Sequence, residues 1–147
     1  MTPYVSRFVS EDNLKLFYAI KKVINDLPDV DLGSDNSGKS IVLSCHMLAR
    51  AVAKVWNLQY EDGLFSGFSH SWVKTPDEKF VIDCYPVGII GGPILVDASN
   101  FLSPANFLYN PTSSEKVTKD LDFESVEFKK SVLMLEKIIG DISRETH

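Results

Sequence analysis

The chain has 147 residues, 44% of them hydrophobic and 24% charged, with 15 basic and 20 acidic side chains and a formal net charge of −5. That length suits a single domain, 1–147, around one hydrophobic core, and the acidic balance argues against nucleic-acid binding, which draws on a basic surplus. No stretch approaches the roughly 18 consecutive apolar residues of a membrane span, and the opening MTPYVSRFVSEDN lacks the basic head and apolar run of a signal peptide, so a cytoplasmic protein with free rather than bridged Cys45 and Cys84 is expected.

The first predicted element is a helix over 11–27, with Leu14, Phe17, Tyr18, Lys21, Ile24 and Leu27 at three-four spacing, Ser10 as N-cap and Pro28 as the stop. Residues 28–40, PDVDLGSDNSGKS, have loop composition. A second helix follows over 44–56, capped by Ser44, with Cys45 in its first turn; Cys45, Leu48, Ala49, Val52 and Trp56 share one face. Residues 64–74 and 79–85 are predicted strands. Between them TPDE carries proline at the second turn position, as a type I turn prefers. In 87–97, VGIIGGPILVD, glycines and a proline interrupt short apolar runs, and 98–120 is predicted irregular. A last helix spans about 122–143, with Phe128, Val132, Leu135, Ile139 and Ile142 along one side. Strands and helices do not alternate, so the expected class is α+β, with helices packed on a small antiparallel sheet.

Three residues in this layout carry nucleophilic chemistry. A thiol reacts as its thiolate, and a helix N-terminus favours the anion through its unpaired N–H groups and dipole. Cys45 opens a helix. A base must reach the sulfur, and a third group must hold that base in the right tautomer. Of three histidines, His147 is terminal and His46 is one helical position round from Cys45, pointing elsewhere; His70 remains. Pairing Lys74 with Lys79, or Thr75 with Glu78, makes partners sum to 153, and 70 + 83 = 153, so His70 faces Asp83. Trp72 lies on the same face and would shield the pair from water. Singly, each residue also has a structural use: a small buried hydrophobe, a strand histidine, a turn aspartate. Spacing and register alone do not decide between these uses.

The segments SCHMLARAVAKV and FSHSWVKTPDEKFVIDCYP, about residues 44–86, resemble the nucleophile helix and the His-x-Trp-Val and Asp strands of papain-like and transglutaminase-like cysteine hydrolases. The His-Ser-Trp-Val strand with its Ile-Asp partner is the specific part. The resemblance implies a papain/transglutaminase-like core and thiol chemistry on the amide or acyl groups of a protein, peptide or other substrate, without a cofactor. It makes Cys45 nucleophile, His70 general base and acid, and Asp83 the orienting carboxylate. The interval from Cys45 to His70 is short for that class, and no glutamine precedes the cysteine as oxyanion donor. Asn36, Ser40 or Ser44 are the substitutes, together with the backbone N–H of Cys45. Phe68, Trp72 and Tyr85 are expected to border the substrate cleft, and 87–97 either lines the acyl site or is a turn-rich connection.

Other readings compete. Residues 33–40, GSDNSGKS, match G-x-x-x-x-G-K-[ST], the phosphate-cradling loop, with Lys39 for phosphates and Ser40 for Mg²⁺. The preceding LPDVDL does not read as the buried parallel strand such a loop needs. Cys45, His70, Asp83 and Cys84 offer zinc-ligand types without zinc-ligand spacing. A non-catalytic interaction module on the same fold is the third alternative.

Overall fold

Ser10 opens the first helix, α1 (Glu11–Asn25), its side chain accepting from the backbone N–H of Asn13 at 3.2 Å, with Glu11 and Asp12 in the first turn where the helix dipole favours acids. The computed structural model describes residues 9–28, 31–34, 37–85, 92–112 and 123–145. α1 ends two residues before the expected Leu27, at the Asp26 cap. Its buried line is Asn13, Phe17, Ile20 and Val23, whereas Tyr18 is exposed, so the inward face is rotated from the expected one. Both lines share Phe17. Asn13, outside the expected face, donates its amide to Asp77, far along the chain, at 2.9 Å.

The second helix, α2 (Cys45–Trp56), starts at the Ser44 cap and ends at Asn57, whose φ of 54° is a left-handed cap. It is buried nearly all round, at His46, Met47, Leu48, Ala49, Ala51, Val52 and Ala53, while Cys45 and Trp56 are only half-buried. The single buried face expected there is therefore corrected. The alanines let helix and sheet approach α2 from several sides.

The expected strand 64–74 is two strands, β1 (Gln59–Phe65) and β2 (Phe68–Lys74), closed by the two-residue turn Ser66–Gly67 with φ of 47° and 87°. Positive φ at both positions is the hairpin geometry whose twist matches the strands. β1 has little strand signal of its own, since QYEDGLF holds two acids and a glycine; pairing on both sides makes it a strand. β3 (Phe80–Asp83) stops two residues short of the expected end. β4 (Ile94–Asp97) lies in the segment read as interrupted apolar runs; residues 87–91 of that segment lie outside those described. The stretch expected to be irregular holds the short helix α3 (Pro104–Leu108) and β5 (Tyr109–Pro111). The last helix, α4 (Val126–Glu145), begins later than expected, with Ser125 Oγ accepting from Phe128 N at 3.2 Å.

The described strands form one antiparallel sheet in the order β4-β3-β2-β1-β5. This is the expected α+β class. Strand alternation divides the interior in two. One face, with Val73, Phe80, Ile82 and Leu95, packs against α1, α2 and α4 through Phe17, Ile20, Leu48, Val52, Leu135 and Ile139. The other carries Trp72, Val81, Ile94 and Val96 against Ala105 and Tyr109. No helix is long and apolar enough to cross a membrane, among the described residues.

Candidate active site

His70 and Asp83 meet, but not by the expected register. Val73 pairs with Ile82 and Lys74 with Val81, so partners sum to 155 rather than 153. The turn does carry Pro76 second, closed by Glu78 N donating to Thr75 O at 2.8 Å. Glu78 then takes a φ of 61°, and the hairpin closes between Thr75 N and Phe80 O at 3.0 Å. The slip is two residues. Side chains alternate with period two, so the same residues keep the same face, and His70 lies diagonally from Asp83 instead of directly across.

The diagonal is bridged by a short contact: His70 Nε2 donates to Asp83 at 2.9 Å from Oδ1 and 2.8 Å from Oδ2. His70 is 1% exposed and Asp83 0%. Asp83 also accepts from the Tyr109 hydroxyl at 2.7 Å and from the Tyr85 backbone N–H at 3.2 Å. These donors converge on the buried carboxylate and fix its orientation. Aromatic rings close the surroundings: Phe65 is 5.9 Å and Trp72 6.2 Å from the imidazole, and Tyr109 stands edge-on to Trp72 at 5.0 Å. Gly63 is paired with His70 across the β1–β2 ladder. A Cβ there would lie 2.3 Å from Asn110 O and 2.5 Å from the Trp72 ring, so glycine lets β5 and the indole close over the pair.

Cys45 is the first residue of α2 and half-buried. β3 pairs with β2 only at Val73 and Lys74, so residues 69–71 of β2 have no β3 partner. Its sulfur interacts with two imidazoles, those of His70 and His46. Burial, the largest single influence, raises the thiol pKa, but hydrogen bonds and charge from His46 and His70 together outweigh it and bring it from 9.0 to about 6. For His70, burial is again the largest influence and disfavours the cation; the hydrogen bonds and charges of Asp83 and Cys45 reverse it and lift the pKa from 6.5 to about 9. Between those values the pair is a thiolate and an imidazolium. Asp83 occupies Nε2, and among the described residues the buried Nδ1 has no conventionally placed hydrogen-bond partner, which leaves it for the sulfur. Cys84 is the opposite case: it is 3% exposed, and burial, then the Asp83 charge, push its thiol well above 9.0.

The expectation that His46 points elsewhere is corrected. Its ring is buried at the sulfur, with Nδ1 2.6 Å from Ser71 Oγ and Nε2 3.4 Å from Ser69 Oγ. Ser71 donates onward to Asp62 at 2.6 Å, and Asp62 accepts from the two terminal guanidinium nitrogens of Arg50 at 3.0 and 2.8 Å. Helical angle alone missed this: at a helix's leading end a side chain can turn back along the axis. Tyr109 was missed because it comes 26 residues after Asp83, in a stretch with no local pattern.

The remaining predicted residues separate. Asn36 lies outside the described residues. Ser40 is exposed and bridged to Ser34, and the Ser44 side chain is engaged as helix cap, accepting from Met47 N at 3.4 Å. Phe68 and Tyr85 are 63% and 48% exposed, but Trp72 is 0% exposed and offers a ligand no surface, contrary to expectation. Its indole N–H is spent on Glu61 at 3.2 Å. The GSDNSGKS stretch does not run from a parallel strand into a helix: an antiparallel bridge joins Ser34 to Ser40, and α2 begins only at Cys45. Among the described residues, no group of three or more His, Cys, Asp or Glu is placed to hold a metal ion, so Cys45, His70, Asp83 and Cys84 do not form one. A cavity of about 620 Å³ between α2 and α4, lined by Arg50, Tyr60, Phe123 and Phe128 among others, includes none of Cys45, His70 and Asp83. No protein-family model, curated protein or solved structure matches this chain.

Proposed function

We propose that this protein is a thiol-dependent acyl hydrolase or acyltransferase in which Cys45 is the nucleophile, His70 the proton carrier and Asp83 the orienting carboxylate. The single observation that carries the reading is the buried His70–Asp83 pair, at 2.8 Å, with its second nitrogen left to a helix-opening cysteine. A core histidine satisfied for structural reasons has no need of a thiol of depressed pKa beside it. The order of helix-start Cys, His strand and Asp strand further supports a papain/transglutaminase-like core, with a protein, peptide or other amide or acyl compound as substrate.

The chemistry follows from the charges. The Cys45 thiolate attacks an acyl carbon; a C–S bond forms and the carbonyl electrons move to oxygen. The backbone N–H of Cys45, at the helix start where amides have no intrahelical partner, is the donor assigned to that oxyanion. Collapse breaks the bond to the leaving nitrogen or oxygen, which takes the proton from His70 Nδ1. Water or an amine then attacks the thioester, gives its proton back to His70, and expels Cys45 as thiolate. Asp83 fixes the ring through its contact with Nε2.

The test is acylation by an activated ester such as p-nitrophenyl acetate, followed by intact mass and by release of p-nitrophenol. The expected result is one acetyl group on Cys45, a burst equal to the enzyme concentration, and neither in Cys45→Ala. Wild-type protein that gains no mass and shows no burst would overturn the enzyme reading and leave the non-catalytic module in its place.

A further inference from the structure

The proposed triad accounts for one imidazole at Cys45 and leaves the other, His46, unexplained. Its hydrogen-bond chain fixes where its protons are. Arg50 holds Asp62 from two nitrogens, so Asp62 is an acceptor, and the Ser71 hydroxyl 2.6 Å away must donate to it. Ser71 has one hydrogen and has spent it. Its oxygen, 2.6 Å from His46 Nδ1, therefore accepts, and Nδ1 carries the proton. Neutral His46 then has a bare Nε2, which lies 3.4 Å from Ser69 Oγ and is the nitrogen left for the thiol.

We propose that His46 is a second proton acceptor for Cys45, anchored through Ser71 to the Asp62–Arg50 pair, so that the sulfur is served by two imidazoles. This rests on the thiol reading of Cys45 given above. In the step, the S–H bond breaks and an N–H bond forms at His46 Nε2. The resulting imidazolium donates from Nε2 to sulfur and from Nδ1 to Ser71, whose hydroxyl donates to Asp62. The two anchors differ. Asp83 meets His70 directly, whereas Asp62 is reached through a hydroxyl and is already neutralised by Arg50. His70 is thus anchored to its carboxylate without an intermediary, and His46 through one hydroxyl. Among the described residues, the ionisable groups around His46 are Cys45 and Arg50 on its own helix, Asp62 on β1 and His70 on β2. Glu124, before α4, acts on Arg50. Phe123 covers the ring at 5.0 Å, under the Arg50 guanidinium at 4.2 Å, which keeps solvent from supplying the proton instead.

The deciding experiment is iodoacetamide alkylation of Cys45, resolved by peptide mass spectrometry across pH. It would compare wild type, His70→Gln, His46→Gln, the double variant, and Ser71→Ala alone and with His70→Gln. In His70→Gln the inflection is expected to rise yet stay below 9.0. Adding His46→Gln or Ser71→Ala should raise it further, lowering the rate at pH 7 about tenfold for each unit of pKa. Profiles unchanged by His46→Gln and Ser71→Ala in both backgrounds would overturn the proposal while leaving the triad intact. Ser71→Ala decides alone should His46→Gln not fold. Alkylation needs no turnover, so failure to acylate with the ester would sink the enzyme reading and not this one.

Discussion

A thiol and an imidazole that exchange a proton leave a signature in pH. Cys45 ionises more easily folded than unfolded, so its contribution to stability is complete above 9.0 and lost as pH falls through about 6. His70 holds its proton more tightly folded, so its contribution is complete below 6.5 and lost as pH rises through about 9. Both describe one ion pair and are not added. Turnover of an acyl substrate should therefore be bell-shaped, with limbs near 6 and 9, measured as initial rate against pH; a flat profile would contradict the pair. Iodoacetamide at pH 7 should label Cys45 and leave Cys84 unmodified until the protein unfolds, read by peptide mass spectrometry. Equal labelling of both thiols would contradict the assignment. Asp83→Ala removes the acceptor of His70, Tyr109 and the Tyr85 N–H together. It is expected to cost about 3–5 kcal/mol in urea unfolding and to move the Cys45 inflection upward.

At the level of elements, helices were the more legible part. Ser10 and Ser44 stand as caps where the local pattern placed them, because capping depends on two or three adjacent residues. Strands were legible only where they were apolar. β1 carries little local signal because its identity comes from partners on both sides, and the Ser66–Gly67 turn falls inside the single strand expected over 64–74. The β2–β3 register was wrong by two residues because a left-handed Glu78 lengthens the turn, a conformation its side chain does not announce. The pairing of His70 with Asp83 survived that error only because two is the period of a strand. Gly63 is the glycine on which the sheet depends. Gly63→Ala would set a methyl against Asn110 O and the Trp72 ring, so a loss of about 1–3 kcal/mol is expected in thermal or urea unfolding. A neutral result would mean that β5 and Trp72 do not close over the pair as described.

For the whole molecule, the sheet separates two apolar interiors, one on each face. Leu135 on α4 is fully buried in the helical core, and Leu135→Ala is expected to destabilise by about 2–5 kcal/mol. Its folded fraction should keep the wild-type pH profile of Cys45 alkylation; a shifted profile would show that the two interiors are coupled. From sequence alone came the α+β class, the cap that places Cys45 at a helix start, and the common face of His70, Trp72 and Asp83. Each depends on periodicity or on a few neighbouring residues, which short-range sterics and hydrogen bonding determine. Tertiary structure alone decided that His46 turns to the sulfur, that Tyr109 reaches Asp83, and that Ser71 and Asp62 join Arg50 to the same site. Those contacts join residues brought together only when helix and sheet bury a shared apolar surface, and no local pattern encodes which polar groups that burial will leave facing one another.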